Sequence, residues 1–393
     1  MLNKELEKIL PLIEKPARYI GNEPGSIIKD KTRVDVSFAF CFPDIYEIGM
    51  SHLGMKILYS LINSQEYALC ERVFAPAADM ENILRKNNIP LFSLESKTPL
   101  SKFDIIGFTL QYELSYTNIL NMLNLSHIPF RSAERKDTFP LIIGGGPCCC
   151  NPEPVAEFFD LFVLGEGEEV TLEILEKVRS HKKKGTKKKA LLKELSKIPG
   201  VYVPSLYDIL YNENGTVKKI KAKSGAPEKI TKRIIWDLDK VYFPENFVVP
   251  FIETVHDRAV HEIFRGCIRG CRFCQAGFIY RPIREKSVET IEKQSKTLCA
   301  NTGYDELSLS SLSSSDYTKI TELLERLLGW TANAKINVAL PSLRIDGFSD
   351  ELKEKLALIR RAGLTFAPEA GTQRLRDVIN KNITEDEIHR TAR

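Results

Sequence analysis

No run of about 18 or more consecutive apolar residues occurs in the 393-residue sequence, which argues against a membrane-spanning helix. The first residues, MLNKELEKILPLIEKPARYIGNE, lack the apolar core and small-residue cleavage site of a secretory signal peptide. A strong excess of one charge is also missing. The 56 Lys and Arg face 52 Asp and Glu, so the net charge of +4 gives no argument for a dedicated nucleic-acid binder. We expect a cytoplasmic protein without a membrane partner.

The nine cysteines are not accompanied by a secretory signal, which points away from disulfides and toward metal binding or chance. They are unevenly spaced: three are adjacent, three share a loop and three are isolated, namely Cys148–Cys150, then Cys267, Cys271 and Cys274, then Cys41, Cys70 and Cys299. Adjacent cysteines point in different directions and rarely share a metal, so the first group is assigned no role.

Apolar, strand-like runs alternate with helix-length segments from about Thr32, which is typical of α/β units around a parallel sheet. The runs are VDVSFAFCF, IPLFSLES, DIIGFTLQ, FPLIIGGG and LFVLGEG, and a helix is expected from about Met55. We predict an α/β fold with a flavodoxin-like, doubly wound domain over residues 1–180. Its ligands would lie at the carboxyl ends of the strands.

A small connector is predicted over residues 181–255. The run HKKKGTKKKA, from His181, is interpreted as an exposed, solvated connection, with a nucleic-acid patch as the alternative. The following segment, YDILYNENGTVKKIKAK, has two alternating runs around Asn-Glu-Asn-Gly, which is typical of a β-hairpin.

A second α/β series is predicted over residues 256–393, with the strand-like runs AVHEIFRGC, DELSLSSLS, AKINVALPS and GLTFAPEAG. Their spacing suits the βα units of a barrel, where the loops after the strands carry active-site residues. A last helix should be opened by Thr384 and the acidic run TEDE. Four units do not close a barrel, so the chain is either a fragment of a longer protein or an open fold. We favour the fragment.

The sharpest local pattern is FRGCIRGCRFCQAG, from Phe264 to Gly277. Cysteines at i, i+4 and i+7 could lie on one face of a helix, but Gly266 and Gly270 weaken a helix and favour a tight loop. Such a loop can wrap three thiolates around a four-iron cluster and leave one iron open to another ligand. Zinc is the alternative, and His256 or His261 would then have to supply its fourth ligand.

With Phe273 directly before the last cysteine, the C-x₃-C-x₂-C pattern resembles the signature of the radical SAM superfamily. The resemblance covers essentially the whole chain. It extends, through IPGVYVP, GCRFCQAG and YRPIRE, to an uncharacterised bacterial group with an N-terminal cobalamin-binding-like domain, whose members continue into a further C-terminal domain.

The resemblance implies a [4Fe–4S] cluster on Cys267, Cys271 and Cys274, whose open iron binds the amino and carboxylate groups of S-adenosylmethionine. Reductive cleavage of the carbon–sulfur bond then yields a 5′-deoxyadenosyl radical that abstracts a hydrogen atom from the substrate. An electron donor such as flavodoxin or ferredoxin is implied as well. Phe273 is counted with the cofactor-binding residues.

Two further segments supply candidate cofactor contacts. After the second strand of the series, Ser310, Ser311 and Ser313 are implied near the amino group of the methionine moiety, although the Gly-Gly-Glu often found there is absent. After the third strand, Arg344 is expected to point at a carboxylate or phosphate, with an ordinary surface ion pair as the alternative.

The segment FAPEAG resembles the ribose-contacting stretch of methylthiotransferase-like and cobalamin-linked radical SAM proteins. The resemblance implies a ribose or substrate contact for Glu369, and Gly371 would permit close backbone approach. The alternative for Glu369 is that it caps the following helix.

The stretches PDIYEIGMSHLG, LIIGGGP and VLGEGEE resemble the cobalamin-binding-type domain fused to many radical SAM enzymes. Cobalamin binders with a histidine lower ligand read Asp-x-His-x-x-Gly, whereas this chain has no histidine in register and His52 suits a surface or helix-entry role. Either cobalamin binds here, or the domain has kept the fold and lost or changed the ligand, which the missing histidine favours. The possible site comprises Asp44, Gly49, Gly144, Gly145 and Gly146.

The sequence therefore predicts a radical SAM enzyme whose substrate is unknown, possibly RNA or protein. The methylthiotransferase-like motif and the basic connector favour RNA slightly. The alternative is a non-catalytic Fe–S or zinc-binding protein with a degenerate or truncated barrel.

Overall fold

A computed structural model describes residues 2–138, 140–223, 225–347 and 365–392. The chain divides into two compact units. Unit 1 comprises Met1–Ile234 and Val248–Val255, and unit 2 comprises Ile235–Phe247 and His256–Arg393. In the described ranges, no helix is long and apolar enough to cross a membrane.

Unit 1 is an α/β unit with a mainly parallel central sheet. Its strands are β1 (Val36–Phe42), β2 (Ala68–Phe74), β3 (Ile105–Thr109), β4 (Leu141–Gly145), β5 (Leu161–Val163), β6 (Val201–Tyr202), β7 (Tyr207–Tyr211) and β8 (Val217–Ala222). Its helices are α1 (Leu2–Ile9), α2 (Ala17–Ile20), α3 (Tyr46–Gly49), α4 (Leu53–Asn63), α5 (Ala78–Lys86), α6 (Tyr116–Leu125), α7 (Gly167–Lys184) and α8 (Lys188–Leu195).

The six-stranded sheet of unit 1 has the order β2-β1-β3-β4-β5-β6. All neighbours pair in parallel except β5 and β6, which are antiparallel. Strands β1, β3, β4 and β5 lie within predicted runs, and they are almost continuously apolar because helices cover both faces of such a sheet. The predicted hairpin is also present, as the antiparallel pair β7 and β8.

One predicted strand is wrong, and one strand was missed. The run IPLFSLES forms no strand, and only Phe92 makes an isolated bridge with Pro99. The edge strand is instead β2, whose sequence ALCERVF is fully buried although it contains Glu71 and Arg72. Two adjacent charges break the apolar pattern that identified the other strands.

The charges of β2 are tolerated because each has a partner. Arg72 is 1% exposed, and its guanidinium lies 2.7 Å from a carboxylate oxygen of Glu95 and 2.7 Å from one of Glu23. Tyr46 donates a further hydrogen bond to Glu23, at 2.8 Å. Burial acts to raise the pKa of Glu23, but the attraction of Arg72 outweighs it and holds that pKa below its ordinary value. The cluster fastens the segment before β1 and the loop after α5 to the sheet edge.

The predicted start of the connector, at residue 181, falls inside α7. The run from His181 is helical in its first part, and most of its residues are exposed, as predicted. Lysine is a good helix former, and cations are favoured at a helix C-terminus by the helix dipole. Lys182 and Lys183 also reach Asp104 and Asp35, at 2.7 and 3.0 Å.

Unit 2 contains a parallel three-stranded sheet of order β13-β12-β9 and a two-stranded antiparallel ribbon, β10 with β11. These strands are β9 (Ala259–Glu262), β10 (Phe264–Arg265), β11 (Arg284–Glu285), β12 (Glu306–Ser310) and β13 (Asn337–Ala339). The helices are α9 (Ala276–Ile279), α10 (Val288–Thr302), α11 (Ile320–Ala334), α12 (Gln373–Val378) and α13 (Glu385–Ala392).

The first three predicted strands of the second series correspond to β9, β12 and β13. The fourth run begins at residues 363 and 364, which lie outside the described residues, and residues 365–369 are not in a strand. The predicted last helix is α13, where Thr384 and Glu387 form a reciprocal cap with a Glu387 N to Thr384 Oγ1 distance of 3.3 Å.

Replacing Arg72 with Met should destabilise unit 1 by about 3–5 kcal/mol, because two buried carboxylates lose their counter-charge. Urea denaturation of the whole chain would measure this. The control is Arg131→Ala, which removes an exposed ion pair with Glu157 and should change little. Equal losses in the two variants would contradict the role assigned to Arg72.

Candidate active site

The three predicted cluster ligands lie on an irregular loop that follows β10. Cys267, Cys271 and Cys274 are each partly exposed, and residues 266–275 are not helical. The interpretation as buried residues on one helix face is therefore wrong. Gly266 explains part of the path: its φ is +102°, and a β-carbon there would lie 2.6 Å from the carbonyl oxygen of Pro282.

Backbone groups of the loop are held by two other segments of unit 2. Asn380 donates its side-chain amide to the carbonyl of Gly270, at 2.8 Å, and the backbone N–H of Arg272 donates to the carbonyl of Ile379, at 2.9 Å. From the other side, Arg281 donates to the carbonyl of Ile268, at 3.1 Å. The loop is thus anchored through its backbone, which leaves the thiols free for other chemistry.

The donor set suits an iron–sulfur cluster better than zinc. All nine cysteines carry free thiols. In the described residues, no group of three or more His, Cys, Asp or Glu side chains is arranged around one point as metal ligands. His261 is fully buried, bonded through Nε2 to Gln294 at 2.9 Å, and packed on Phe243. Burial, aided by the charge of Lys286, lowers the pKa of His261 to about 3. His261, one of the two histidines that the zinc alternative requires, is therefore engaged in the interior, whereas three thiolates would match a four-iron cluster with one open iron.

The charged group at the centre of this loop was not predicted from the sequence. Arg269 lies between Cys267 and Cys271, with its Nε 3.0 Å from Asp316 Oδ2 and its Nη1 3.0 Å from Asp346 Oδ2. Burial acts to raise the pKa of Asp316, but hydrogen bonds from Arg269 outweigh it and hold the pKa below its ordinary value. The only sequence signal was a charged residue inside the cysteine motif.

The serines after β12 form a turn beside this ion pair. The carbonyl of Ser310 accepts a hydrogen bond from Ile263, at 3.0 Å. The hydroxyl of Ser311 lies 2.9 Å from that of Ser314, whereas Ser313 is buried and its carbonyl accepts from Asp316, at 2.8 Å. The three predicted serines thus differ in what their side chains can offer to a ligand.

Arg344 has a carboxylate partner, but it belongs to the chain. Its Nε and Nη2 lie 2.9 and 3.0 Å from the two carboxylate oxygens of Asp346, and Nη2 also donates to the carbonyl of Lys381, at 3.0 Å. The ion pair considered as the alternative is therefore present, but it is largely buried rather than at the surface, since the side chain of Arg344 is only 9% exposed.

Glu369 does not cap the following helix, because Thr372 does so by accepting a hydrogen bond from Leu375, at 3.3 Å. Glu369 instead pairs with Lys381, at 3.2 Å, and its φ is +70°, a backbone conformation rare outside glycine. Gly371 is exposed, with open space around its Cα, and Phe273 is 57% exposed. Both are accessible to a ligand.

Unit 1 contains a cavity of about 190 Å³, several times the ~30 Å³ of one water. It lies between one face of the sheet and helices α4 and α7, and its wall is mostly apolar or glycine. Its lining comprises Phe38, Phe40, His52, Gly54, Leu58, Ile62, Gly107, Phe108, Thr109, Gln111, Ile143, Gly145, Gly146, Val163, Gly165, Gly167, Thr171 and Ile174.

Only some residues of the possible cobalamin-like site line this cavity. Gly145 and Gly146 line it, whereas Gly144 packs against Phe162 and is not part of the lining. Two other members lie away from it: Asp44 accepts from the N–H of Ile45, at 2.8 Å, and Gly49 packs against the ring of Phe74. The glycine inside β3, Gly107, was a missed signal, because a glycine in a strand interior often marks close approach.

His52 has the helix-entry role that the sequence predicts. Its Nδ1 accepts a hydrogen bond from the N–H of Met55, at 3.1 Å, at the N-terminus of α4. The side chain of Gln111 also hydrogen-bonds the ring, and burial lowers the pKa of His52 to about 4. At neutral pH the imidazole is therefore uncharged, with Nδ1 engaged in the cap.

Comparison with protein families gives two matches. Residues 54–204 match the family described as radical SAM proteins, N-terminal, and residues 261–393 match the radical SAM superfamily. The second match begins in β9 and includes the three-cysteine loop, the serine turn and the segment from Glu369 to Gly371.

A curated relative, an uncharacterized protein of Methanocaldococcus jannaschii, is 27% identical over 353 residues, covering 89% of this chain and 64% of the relative. Two solved structures of the radical S-adenosylmethionine methyltransferase TsrM from Kitasatospora setae have a similar fold. One, with tryptophan and aza-SAM bound, has a TM-score of 0.55 and 13% identity over 90% of this chain. The other, with cobalamin and a [4Fe-4S] cluster bound, has 0.54 and 12% over 89%. The chain spans 64% of each of these proteins.

The two glycines of the site should respond differently to alanine. Gly266→Ala should destabilise the loop by about 1–3 kcal/mol, because it combines a positive φ with a close carbonyl. Gly371→Ala, where nothing lies within 4 Å, should leave the melting temperature nearly unchanged. Thermal denaturation of the purified chain would distinguish them, and a neutral Gly266→Ala would contradict the assigned geometry.

Proposed function

Because this chain belongs to the radical SAM superfamily, we propose that it is an enzyme that binds a [4Fe–4S] cluster and cleaves S-adenosylmethionine reductively. The observation that carries the proposal is the loop after β10. It presents three partly exposed free thiols, Cys267, Cys271 and Cys274, on an irregular backbone turned by glycine. When bound, the cluster would supply the electron that breaks the carbon–sulfur bond and yields the 5′-deoxyadenosyl radical.

In this proposal, the residues of the chain bind the cluster and S-adenosylmethionine and orient them. The three thiolates hold the cluster, and the loop carbonyls bound by Asn380 and Arg281 fix its backbone. Ser310, Ser311 and Ser313 approach the methionine end of S-adenosylmethionine. Exposed Phe273 shields one side of the bound cofactors from water, which strengthens the local electrostatic interactions.

Glu369, Gly371 and Arg344 complete the proposed cofactor-binding set. Gly371 is open enough for close approach of the ribose to its backbone. Glu369 is exposed, so its pairing with Lys381 can be shared with a ribose hydroxyl. Arg344 already has two oxygens of Asp346, so it acts on the ligand by orienting that carboxylate.

We assign one function to each of the predicted domains. Residues 1–180 would form a flavodoxin-like ligand domain, 181–255 a connector and 256–393 a partial radical SAM barrel. The strand order β2-β1-β3-β4-β5 supports the first assignment, since it is that of flavodoxin-like folds. The parallel sheet β13-β12-β9 supports the last.

We infer a cytoplasmic enzyme that receives electrons from a small protein such as flavodoxin or ferredoxin and modifies a macromolecule, RNA in preference to protein. The hairpin of β7 and β8 supports RNA. Its strand β8 exposes Lys218, Lys219 and Lys221, and Tyr211 on β7 is 58% exposed. Exposed lysines can neutralise phosphates, and an exposed aromatic ring can stack on a base.

We also propose that the cavity of unit 1 takes part of a cobalamin-type ligand, without a histidine ligand from the chain. The mostly apolar wall and Gly145 and Gly146 at its edge suit a flat ring system. His52 is committed to capping α4 through Nδ1, which argues against a role on cobalt.

Anaerobic reconstitution of the chain should give about four irons per chain, and dithionite should then yield 5′-deoxyadenosine from S-adenosylmethionine. The Cys271→Ala variant should lose both the bound iron and the formation of 5′-deoxyadenosine, because one iron of the cluster loses its protein ligand. Iron analysis and chromatography of the nucleoside would measure the two results.

Cys150→Ala is the matched control, since it removes an exposed thiol outside the loop and should leave both results unchanged. A colourless protein with one zinc would contradict the proposal. Iron without 5′-deoxyadenosine would instead support a non-catalytic Fe–S protein.

Gly145→Leu should weaken cobalamin binding about tenfold or more, because its side chain would occupy cavity space without straining the backbone. Equilibrium dialysis with hydroxocobalamin would measure the affinity. The control is Gly329→Leu, an exposed glycine of α11 with nothing within 4 Å.

His52→Asn keeps a side chain able to cap α4 and should leave the absorption spectrum of bound cobalamin unchanged. A changed spectrum would identify His52 as a cobalt ligand. If the wild-type chain binds no cobalamin, the domain has kept the fold without this ligand.

A further inference from the structure

Between the first two predicted cluster ligands, Arg269 is the only charged residue. Its side chain points into the protein rather than into solvent. The guanidinium is 29% exposed, and Nε and Nη1 each lie 3.0 Å from a carboxylate oxygen. The carboxylates belong to Asp316 and Asp346. Two separate partners at this distance fix the direction of the planar guanidinium group.

The two partners lie in the segments that follow two neighbouring strands of the same sheet. Asp316 lies in the turn after β12, and Asp346 follows β13. Arg269 itself follows β9 and β10, so one side chain joins the segments that follow three neighbouring parallel strands. Loops at the carboxyl ends of such strands are where this kind of fold places its reactive groups.

The contact continues beyond Asp346. Arg344 binds both of its carboxylate oxygens and donates to the carbonyl of Lys381, and Lys381 pairs with Glu369, at 3.2 Å. Five charged residues therefore connect the cysteine loop to the segment before α12, and the link from Arg344 to Lys381 runs through the backbone carbonyl of Lys381. A shift of Arg269 would be transmitted to both proposed sides of the site.

We infer that Arg269 is a positioning residue that holds the Cys267–Cys271 segment in the shape that accepts the cluster. The inference rests on the proposed function, because it assumes that these thiols bind iron. Three thiolates next to two carboxylates would repel one another, and a guanidinium among them offsets that repulsion while fixing the backbone between the first two ligands. Interactions of this kind typically change metal affinity about 10–100-fold.

The test uses the reconstituted chain with Arg269→Gln and Arg269→Lys. Both variants should lose iron to a chelator about tenfold faster or more than wild type, with Arg269→Lys the less affected because it keeps the charge but not the two-pronged geometry. The electron paramagnetic resonance spectrum of the reduced cluster, with and without S-adenosylmethionine, should also change. The iron-free variants should still melt cooperatively, since the side chain of Arg269 keeps contact with solvent.

Arg326→Gln is the matched control. Arg326 also makes ion pairs with carboxylates of unit 2, Glu289 and Glu322 at 2.8 and 3.2 Å, but it lies on α11. The Arg326→Gln variant should retain iron and give the same spectrum as the wild-type chain. Failure of wild type and Arg326→Gln to hold a cluster would overturn the proposed function itself.

Two results would overturn the inference alone. One is a wild-type cluster that Arg269→Gln and Arg269→Lys retain equally well, with unchanged spectra. The other is loss of a cooperative melting transition in both Arg269 variants while Arg326→Gln melts like wild type, which would make Arg269 a structural residue of unit 2.

Discussion

The pairing of Arg269 with Asp316 and Asp346 is the interaction on which the candidate site depends. A parallel sheet brings the ends of its strands together, but it does not dictate the path of the loops that follow. Here one guanidinium sets that path for the segments after β10, β12 and β13 at once. Glycine makes the cysteine loop possible, and the ion pairs select one of the conformations that glycine permits.

The sequence predicted the parts of the molecule whose signal is local. The strands around Phe38, Ile106 and Ile143 are short apolar runs, and the three cysteines are spaced within eight residues of one another. The ion pairs of Arg269 could not be predicted in the same way. Its partners are 47 and 77 residues away, and nothing in their surroundings distinguishes them from other acidic residues.

Unit 1 shows the opposite error, in which a local rule was applied where tertiary contacts override it. β2 was missed because Glu71 and Arg72 interrupt its apolar run, and IPLFSLES was predicted because it is largely apolar. His52 is a contrasting case, because the helix-entry role predicted from the sequence is the one that its Nδ1 has at the start of α4.

The buried cluster of Glu23, Arg72 and Glu95 limits which substitutions this sequence can accept during evolution. Loss of Arg72 leaves two buried carboxylates without their counter-charge, whereas an apolar replacement of all three can be nearly neutral. Among homologues, these positions should therefore vary together or not at all. Each of the three residues lies in a different segment of the chain. Covariation among them would therefore show that these segments evolve together at one edge of the sheet.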